Sequence, residues 1–188
     1  MFLSNQTFRS FHKDRDLVAV RRDGFDIRSI QGFVLCFSDA LVLLQYVYDF
    51  RLDGHLLLRR RDITRMESGA TDQLQRRMLD AEGVLSQIDF DYSAPIRSYK
   101  TFLESLQPNQ IVILEDEISD DPELLIGTIN AVNDDTATVN YFSGAGNWDE
   151  SPVEIPLSRI TSCQTNTNYI NFYARHFERT ARHAAKMP

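Results

Sequence analysis

The densest positive charge in the chain is a run of three arginines, Arg59, Arg60 and Arg61. Guanidinium groups bind the phosphates of nucleic acids, so this run is a candidate polyanion contact. Arginines at the end of a strand also keep the edge of a sheet soluble. Pairing with Asp62, or with the acidic second half of the chain, is the interpretation that the residue pattern favours.

Trp148 is the only tryptophan in the chain. It follows a glycine-rich stretch, 143–147, which joins two predicted strands and opens no helix, so the stretch indicates a hairpin loop rather than a phosphate-binding loop. A tryptophan at a loop tip can anchor a partner protein, whereas a tryptophan folded onto the end of a barrel is the more common arrangement. We keep Trp148 as a candidate partner contact.

Other groups that could do chemistry lack the required spacing. The acidic stretch 115–123 has no calcium-loop pattern and indicates a solvated loop. His176 and His183 lie two helical turns apart, too far to share a metal ion. Cys36 and Cys163 have no C-x-x-C pattern and no neighbouring histidines, which predicts small buried hydrophobes in a reducing compartment. We expect no metal site.

The motifs of nucleophilic catalysis are missing from the sequence. The chain has no G-x-S-x-G elbow, no evident cysteine–histidine pair and no phosphate-cradling glycine loop. Asp49 and Asp53 could do acid–base work in principle, but bracketing a turn explains both. We therefore predict a protein that is not an enzyme, with no catalytic residues and no cofactor.

Charge is unevenly distributed along the 188 residues, whose formal net charge is −7. Residues 1–66 carry 11 Lys/Arg and 8 Asp, whereas residues 108–188 carry 5 Lys/Arg and 12 Asp/Glu. A polyanion could therefore bind only the first half, and the two halves could attract each other. No apolar run approaches the roughly 18 residues of a membrane span, and the first residues do not resemble a signal peptide, which predicts a cytoplasmic protein without a membrane segment.

Turn signals divide each half of the chain into five short strands. The predicted strands are 17–20, 27–37, 41–48, 55–59 and a residual strand after 62–64 in the first half, and 111–114, 124–132, 136–142, 153–155 and 158–161 in the second. Helical periodicity predicts helices over 71–82 and 95–106 and a third at the C-terminal end of the chain.

The two halves also share local sequence. Gly32-Phe33-Val34 is matched by Gly127-Thr128-Ile129 at an offset of 95 residues, and Asp62-Ile63-Thr64 by Arg159-Ile160-Thr161 at an offset of 97. This indicates a duplicated unit. A glycine inside the long second strand of each half indicates a sharp bend, as small barrels require.

The fold prediction is α+β, mainly β with helices: two tandem five-stranded small barrels of the Sm-like or SH3-like type. The first barrel is expected over 1–68, a helical linker over 69–107, and the second barrel with the C-terminal helix over 108–188.

The local pattern resembles the Sm-like fold. Gly32-x-Val34-x-x-Phe37-Ser38-Asp39-x-Leu41-Val42-Leu43 is similar to the first Sm motif, and Gly127-x-Ile129-x-x-Val132-Asn133-Asp134 is a looser copy. Asp53-Gly54-His55-Leu56-Leu57-Leu58 and Asp62-Ile63-Thr64 resemble patterns in uncharacterised bacterial proteins that pair such barrels. The resemblance covers about residues 15–66 and 108–170.

The resemblance implies RNA binding only where the family's pocket residues are present. Val42 stands where RNA-binding Sm proteins carry an asparagine, and neither 59–61 nor 156–158 supplies the small-residue element of the second motif. No residue of the RNA pocket can be carried over to this chain.

We therefore expect a noncatalytic interaction or self-assembly protein, most simply a homodimer formed through strand edges or a complex with another protein. The alternative is an RNA-binding regulator that uses Arg59, Arg60 and Arg61.

Overall fold

The computed structural model describes residues 3–25 and 27–184. The first half forms α1 (Asn5–Asp14), β1 (Leu17–Arg21), β2 (Ile30–Phe37), β3 (Leu41–Tyr48), β4 (Arg51–Arg59), a 3₁₀ turn (Arg60–Asp62) and β5 (Arg65–Glu67). The connection contains α2 (Ala70–Ala81), a 3₁₀ turn (Leu85–Gln87) and α3 (Tyr99–Glu104). The second half forms β6 (Ile111–Asp116), β7 (Glu123–Val132), β8 (Thr136–Tyr141), β9 (Val153–Pro156), β10 (Ser162–Thr165) and α4 (Asn168–Ala184).

All ten strands of the described residues join one antiparallel sheet in the order β5-β1-β2-β3-β4-β10-β6-β7-β8-β9. The α+β class is therefore confirmed, but the sheet is open, since its end strands β5 and β9 do not pair with each other. The second edge of β4 is occupied by β10, with Leu57 opposite Cys163. No helix in the described part of the chain is both long and apolar enough to cross a membrane.

The first and last five strands share their order and register. In both halves the fifth strand lies beside the first, and the ladder between the second and third strands shifts by one residue at the same place, after Val34 and after Ile129. Such a shift is a β-bulge, which bends a strand. The matching pairs are Val18–Gly32 and Val112–Gly127, Val20–Met66 and Leu114–Cys163, Leu41–Arg59 and Thr136–Pro156.

A side-chain hydrogen bond is also shared by the halves. The hydroxyl of Thr64 donates to the carbonyl oxygen of Arg21 at 3.1 Å, and the hydroxyl of Thr161 donates to that of Glu115 at 2.9 Å. Each bond ties the start of a fifth strand to the first strand of its half. The sequence match at 62–64 and 159–161 therefore marks equivalent structural positions.

The matched glycines have a steric explanation. A Cβ atom at Gly32 would lie 2.7 Å from the carbonyl oxygen of Gln45, and one at Gly127 would lie 1.9 Å from that of Asn140. We expected these glycines to permit a bend. In the structure, glycine is needed because the backbone of the neighbouring strand, β3 or β8, passes so close that any side chain would collide with it.

Alternation along the strands sends apolar side chains to both faces of the sheet. In the first half, Val18 and Val20 pack with Phe8 of α1 on one face, while Leu17 belongs to the large cluster under the connecting helices. That cluster extends into the second half through Leu114. A third cluster holds α4 against β6 and β7.

Several predicted boundaries are wrong. The turn expected at Asp53-Gly54 lies inside β4, and the chain instead reverses at Asp49 and Phe50, which have φ of 48° and 60°, as in a two-residue hairpin turn. Gly54 is required because a Cβ there would lie 2.3 Å from the carbonyl oxygen of Thr165 on β10. The helix predicted over 95–106 is shorter, since Ser98 caps α3, and α1 was not predicted.

Candidate functional site

The arginine run does not form one positive surface. Arg59 is only 6% exposed; its Nε bonds the carboxylate of Asp62, and its Nη1 donates to the carbonyl oxygen of Ser158 at 3.2 Å. The side chain of Arg61 is 61% exposed and lies 3.9 Å from Asp62. The predicted pairing with Asp62 is confirmed.

Arg60 is also bound within the fold. Its guanidinium donates to the side chain of Asn5 at 2.6 Å, to the carbonyl oxygen of Leu3 at 3.0 Å and to the carbonyl oxygen of Ser38. It also lies 4.2 Å from the ring centre of Phe8. These contacts hold α1 on the first half, so of the three arginines Arg61 is the one whose side chain is mostly exposed.

The arginine run lines a cleft of about 910 Å³ between the halves. Both halves contribute matching elements: the turn before the third strand, 39–41 and 134–136, and the turn after the fourth, 59–61 and 156–158. The start of α3, 98–100, forms another wall. Size and a partly apolar lining are those of many small-ligand sites.

Charged side chains of both signs line the cleft. Lys100 pairs with Asp134, and this hydrogen bond raises the pKa of Lys100 and lowers that of the Asp134 carboxyl, so both stay charged at neutral pH. Asp39 and Asp135 add two further carboxylates to the lining. These carboxylates weaken the attraction of the cleft for a polyanion.

Trp148 lies beside the C-terminal helix and is exposed, at 43%. Its ring centre is 5.1 Å from that of Phe142 and 4.9 Å from that of Phe177 on α4. The tryptophan therefore packs on the end of the sheet and still remains accessible to solvent. Near the other end of α4, Tyr169 and Phe172 are 47% and 62% exposed.

Only part of the acidic stretch 115–123 behaves as the predicted solvated loop. Asp116 is fully buried and bonds the guanidinium of Arg159. Burial alone would raise the pKa of Asp116, but hydrogen bonds from the backbone of Ile118 and from Arg159 lower it overall.

Glu117 forms an ion pair that connects the two halves. Both of its carboxylate oxygens accept hydrogen bonds from Arg22, at 2.8 and 3.1 Å, and the Arg22 side chain is 3% exposed. Arg22 follows β1 and Glu117 follows β6, so this bidentate ion pair joins the ends of the first strands of the two halves. It accounts for part of the charge attraction expected between them.

The buried nucleophiles are chemically quiet. Burial raises the pKa of the Cys163 thiol and of the Tyr99 hydroxyl well above their ordinary values, so both remain protonated at neutral pH. Cys36 is partly exposed, and burial raises its pKa as well. Within residues 3–25 and 27–184, no three His, Cys, Asp or Glu side chains are placed to hold a metal ion.

One open edge of the sheet is protected by proline. Leu157 donates its N–H to Asp135 of the β8 side, at 2.8 Å, so by alternation residues 152, 154 and 156 turn their backbone groups to the open edge of β9. Two of these three are Pro152 and Pro156, which have no N–H. A strand added to β9 would find a single donor.

The other open edge is β5, three residues long and free of proline. Arg65 and Glu67 point to one face and form an ion pair at 2.6 Å, with their side chains 63% and 41% exposed. Met66 points to the opposite face and is buried in the first-half core. No strand of the described residues pairs with the outer edge of β5.

Searches against known protein families, curated proteins and solved structures found no match to this chain.

Proposed function

We propose that this chain is a noncatalytic protein-interaction module, built of two Sm-like units, that self-associates through a sheet edge. The observation that carries the proposal is the β4–β10 junction, at which two units of matching register already associate edge to edge within one chain.

The two-unit interpretation is supported by agreement at several levels. Strand order, register, bulge position, the Thr64 and Thr161 hydrogen bonds and the close approaches at Gly32 and Gly127 all match between the halves. In each unit the fifth strand lies beside the first, followed by the second, third and fourth, and a 3₁₀ turn precedes β5 in the first unit. This arrangement is in keeping with the Sm-like pattern of the sequence.

The backbone pairing at the β4–β10 junction supports self-association. Backbone groups of β4 and β10 bond each other, so the units recognise each other through main-chain geometry that can be reused between chains. The same junction leaves the outer edges of one fifth strand, β5, and one fourth strand, β9, unpaired within the described residues. An unpaired edge is a template for another strand.

Trp148 provides a second surface for protein contact. Its half-exposed ring stands beside α4, whose exposed face also includes Phe172 under the guanidinium of Arg175, at 4.5 Å. Tryptophan, tyrosine and arginine are the residues that most often dominate binding energy at protein interfaces.

RNA binding through Arg59, Arg60 and Arg61 stays the alternative prediction. Two of these arginines bond groups of the protein itself, and carboxylates line the same cleft. A filter-binding assay at low salt tests it, because phosphate contacts are strongest there. Loss of binding on replacing Arg61 would favour RNA recognition.

Light scattering of the purified chain tests the proposed self-association. We expect the mass to rise with concentration toward twice the 21.7 kDa of one chain. A strict monomer at the highest attainable concentration would contradict it.

A further inference from the structure

We propose that β5 of one chain pairs antiparallel with β5 of a second copy, about a twofold axis through the Met66 pair. This inference rests on the proposed self-association and names the edge, the partner and the register.

The head-to-tail alternative, β9 of one chain on β5 of the next, would copy the internal junction. Arg60 donates its N–H to Ala40 at 2.9 Å, so residues 55, 57 and 59 of β4 turn toward β10. Their counterparts in β9 are 152, 154 and 156, since Pro156 pairs as Arg59 does. Prolines at two of the three positions remove the donors that the copy would need.

The backbone of β5 is correctly turned to receive a strand. The backbone N–H and carbonyl of Leu57 point toward β10, and Leu57 pairs with Cys163. The N–H and carbonyl of Cys163 therefore point toward β4. Met66 holds the matching place in the first half, because it pairs with Val20 as Cys163 pairs with Leu114. Its N–H and carbonyl therefore face the open edge.

A second copy of β5 is the partner whose charges fit. In an antiparallel pair centred on Met66, Arg65 of each chain lies opposite Glu67 of the other. These flanking positions are non-hydrogen-bonded pairs, in which side chains approach most closely. Both charged side chains are accessible, and opposite charges placed directly across strands stabilise a sheet while like charges destabilise it.

A charge-swap experiment tests this register by sedimentation equilibrium of the full chain. R65E sets carboxylate against carboxylate in both cross-strand pairs, and E67R sets guanidinium against guanidinium. We expect each single variant to weaken dimerisation at least tenfold, about 1.4 kcal/mol. The double variant R65E/E67R restores opposite charges and should recover dimerisation. R77E, on the exposed surface of α2, is the matched control and should dimerise like the wild type.

The outcomes separate the two proposals. A dimer that R65E and E67R leave unchanged, or that the double variant does not recover, overturns the β5 register while self-association stands. A wild-type monomer at every concentration overturns both. Urea denaturation of each variant as a monomer shows whether its fold is retained, so weaker dimerisation supports the register only in variants that remain folded.

Discussion

Removing the Arg22–Glu117 ion pair should destabilise the chain far more than removing a surface pair. Breaking a buried salt bridge by deleting one partner costs about 3–5 kcal/mol, because the remaining charge stays buried. In R22M the remaining charge is Glu117, whose side chain is 25% exposed and can regain water, so we expect a loss near the lower end, about 3 kcal/mol. In E117L the guanidinium of Arg22 stays in a site that is 3% exposed, so the loss should be larger.

The assay is urea and thermal unfolding at one fixed, low protein concentration. For a chain of this length, 1 kcal/mol shifts the melting temperature by roughly 2–4 °C, so R22M should melt about 6–12 °C below the wild type. The control is R182M, which breaks an exposed helical pair at 3.8 Å and should change the unfolding free energy by less than about 0.5 kcal/mol. The double variant R22M/E117L leaves neither charge behind.

Two results would refute this account of the ion pair. One is an R22M chain as stable as R182M. The other is a double variant whose loss equals the sum of the two single losses, because coupled residues must show an interaction energy.

Two further predictions concern Gly127, which is buried, and His55, which is half-buried. G127A should lower the unfolding free energy by roughly 1–3 kcal/mol or more, since its Cβ would meet the carbonyl oxygen of Asn140, while G144A, with open space around it, should be near neutral in the same urea titration. The pKa of His55 is lowered by burial, against the opposing charge of Asp89. Its neutral form is thus favoured in the folded chain, and stability should fall as pH drops below about 6.5, where the unfolded chain takes up the proton. H55Q should show a shallower loss of stability between pH 7.5 and 5, and an unchanged slope would show that His55 is not the group responsible.

Local pattern predicted the strands well where side chains alternate between two buried faces. Leu41–Tyr48 and the strand beginning at Ile111 were found from β-branched and apolar runs, and α2 and α4 from helical spacing. Helix α1 was missed because few of its residues are apolar, although Ser4 as a cap and Phe8 with Phe11 on one side were available signals.

The joining of two units into one sheet was beyond local pattern. Whether β4 meets β10 or another strand depends on backbone groups about 100 residues apart, and no side-chain periodicity encodes that choice. The pairing of Arg59 with Asp62 was among the expected interpretations, since the two are close in sequence. The different set of partners that Arg60 has was not expected, because Asn5 and Ser38 lie far from it in the sequence.

The sequence contains a signal for the protected edge of β9 that our strand prediction did not use. Pro152 and Pro156 are four residues apart on either side of a predicted strand, and two prolines at that spacing turn toward one edge. Which edge they face could be decided only once the bond from Leu157 to Asp135 was known.

The most direct test of edge association is residue-resolved amide hydrogen exchange, followed by NMR at low and high protein concentration. If β5 pairs with β5 of a second chain, the Met66 amide should exchange quickly in dilute solution and become protected as concentration rises. The Glu154 amide, on the proline-flanked edge of β9, should exchange quickly at both. Exchange at Met66 that does not depend on concentration would contradict the account.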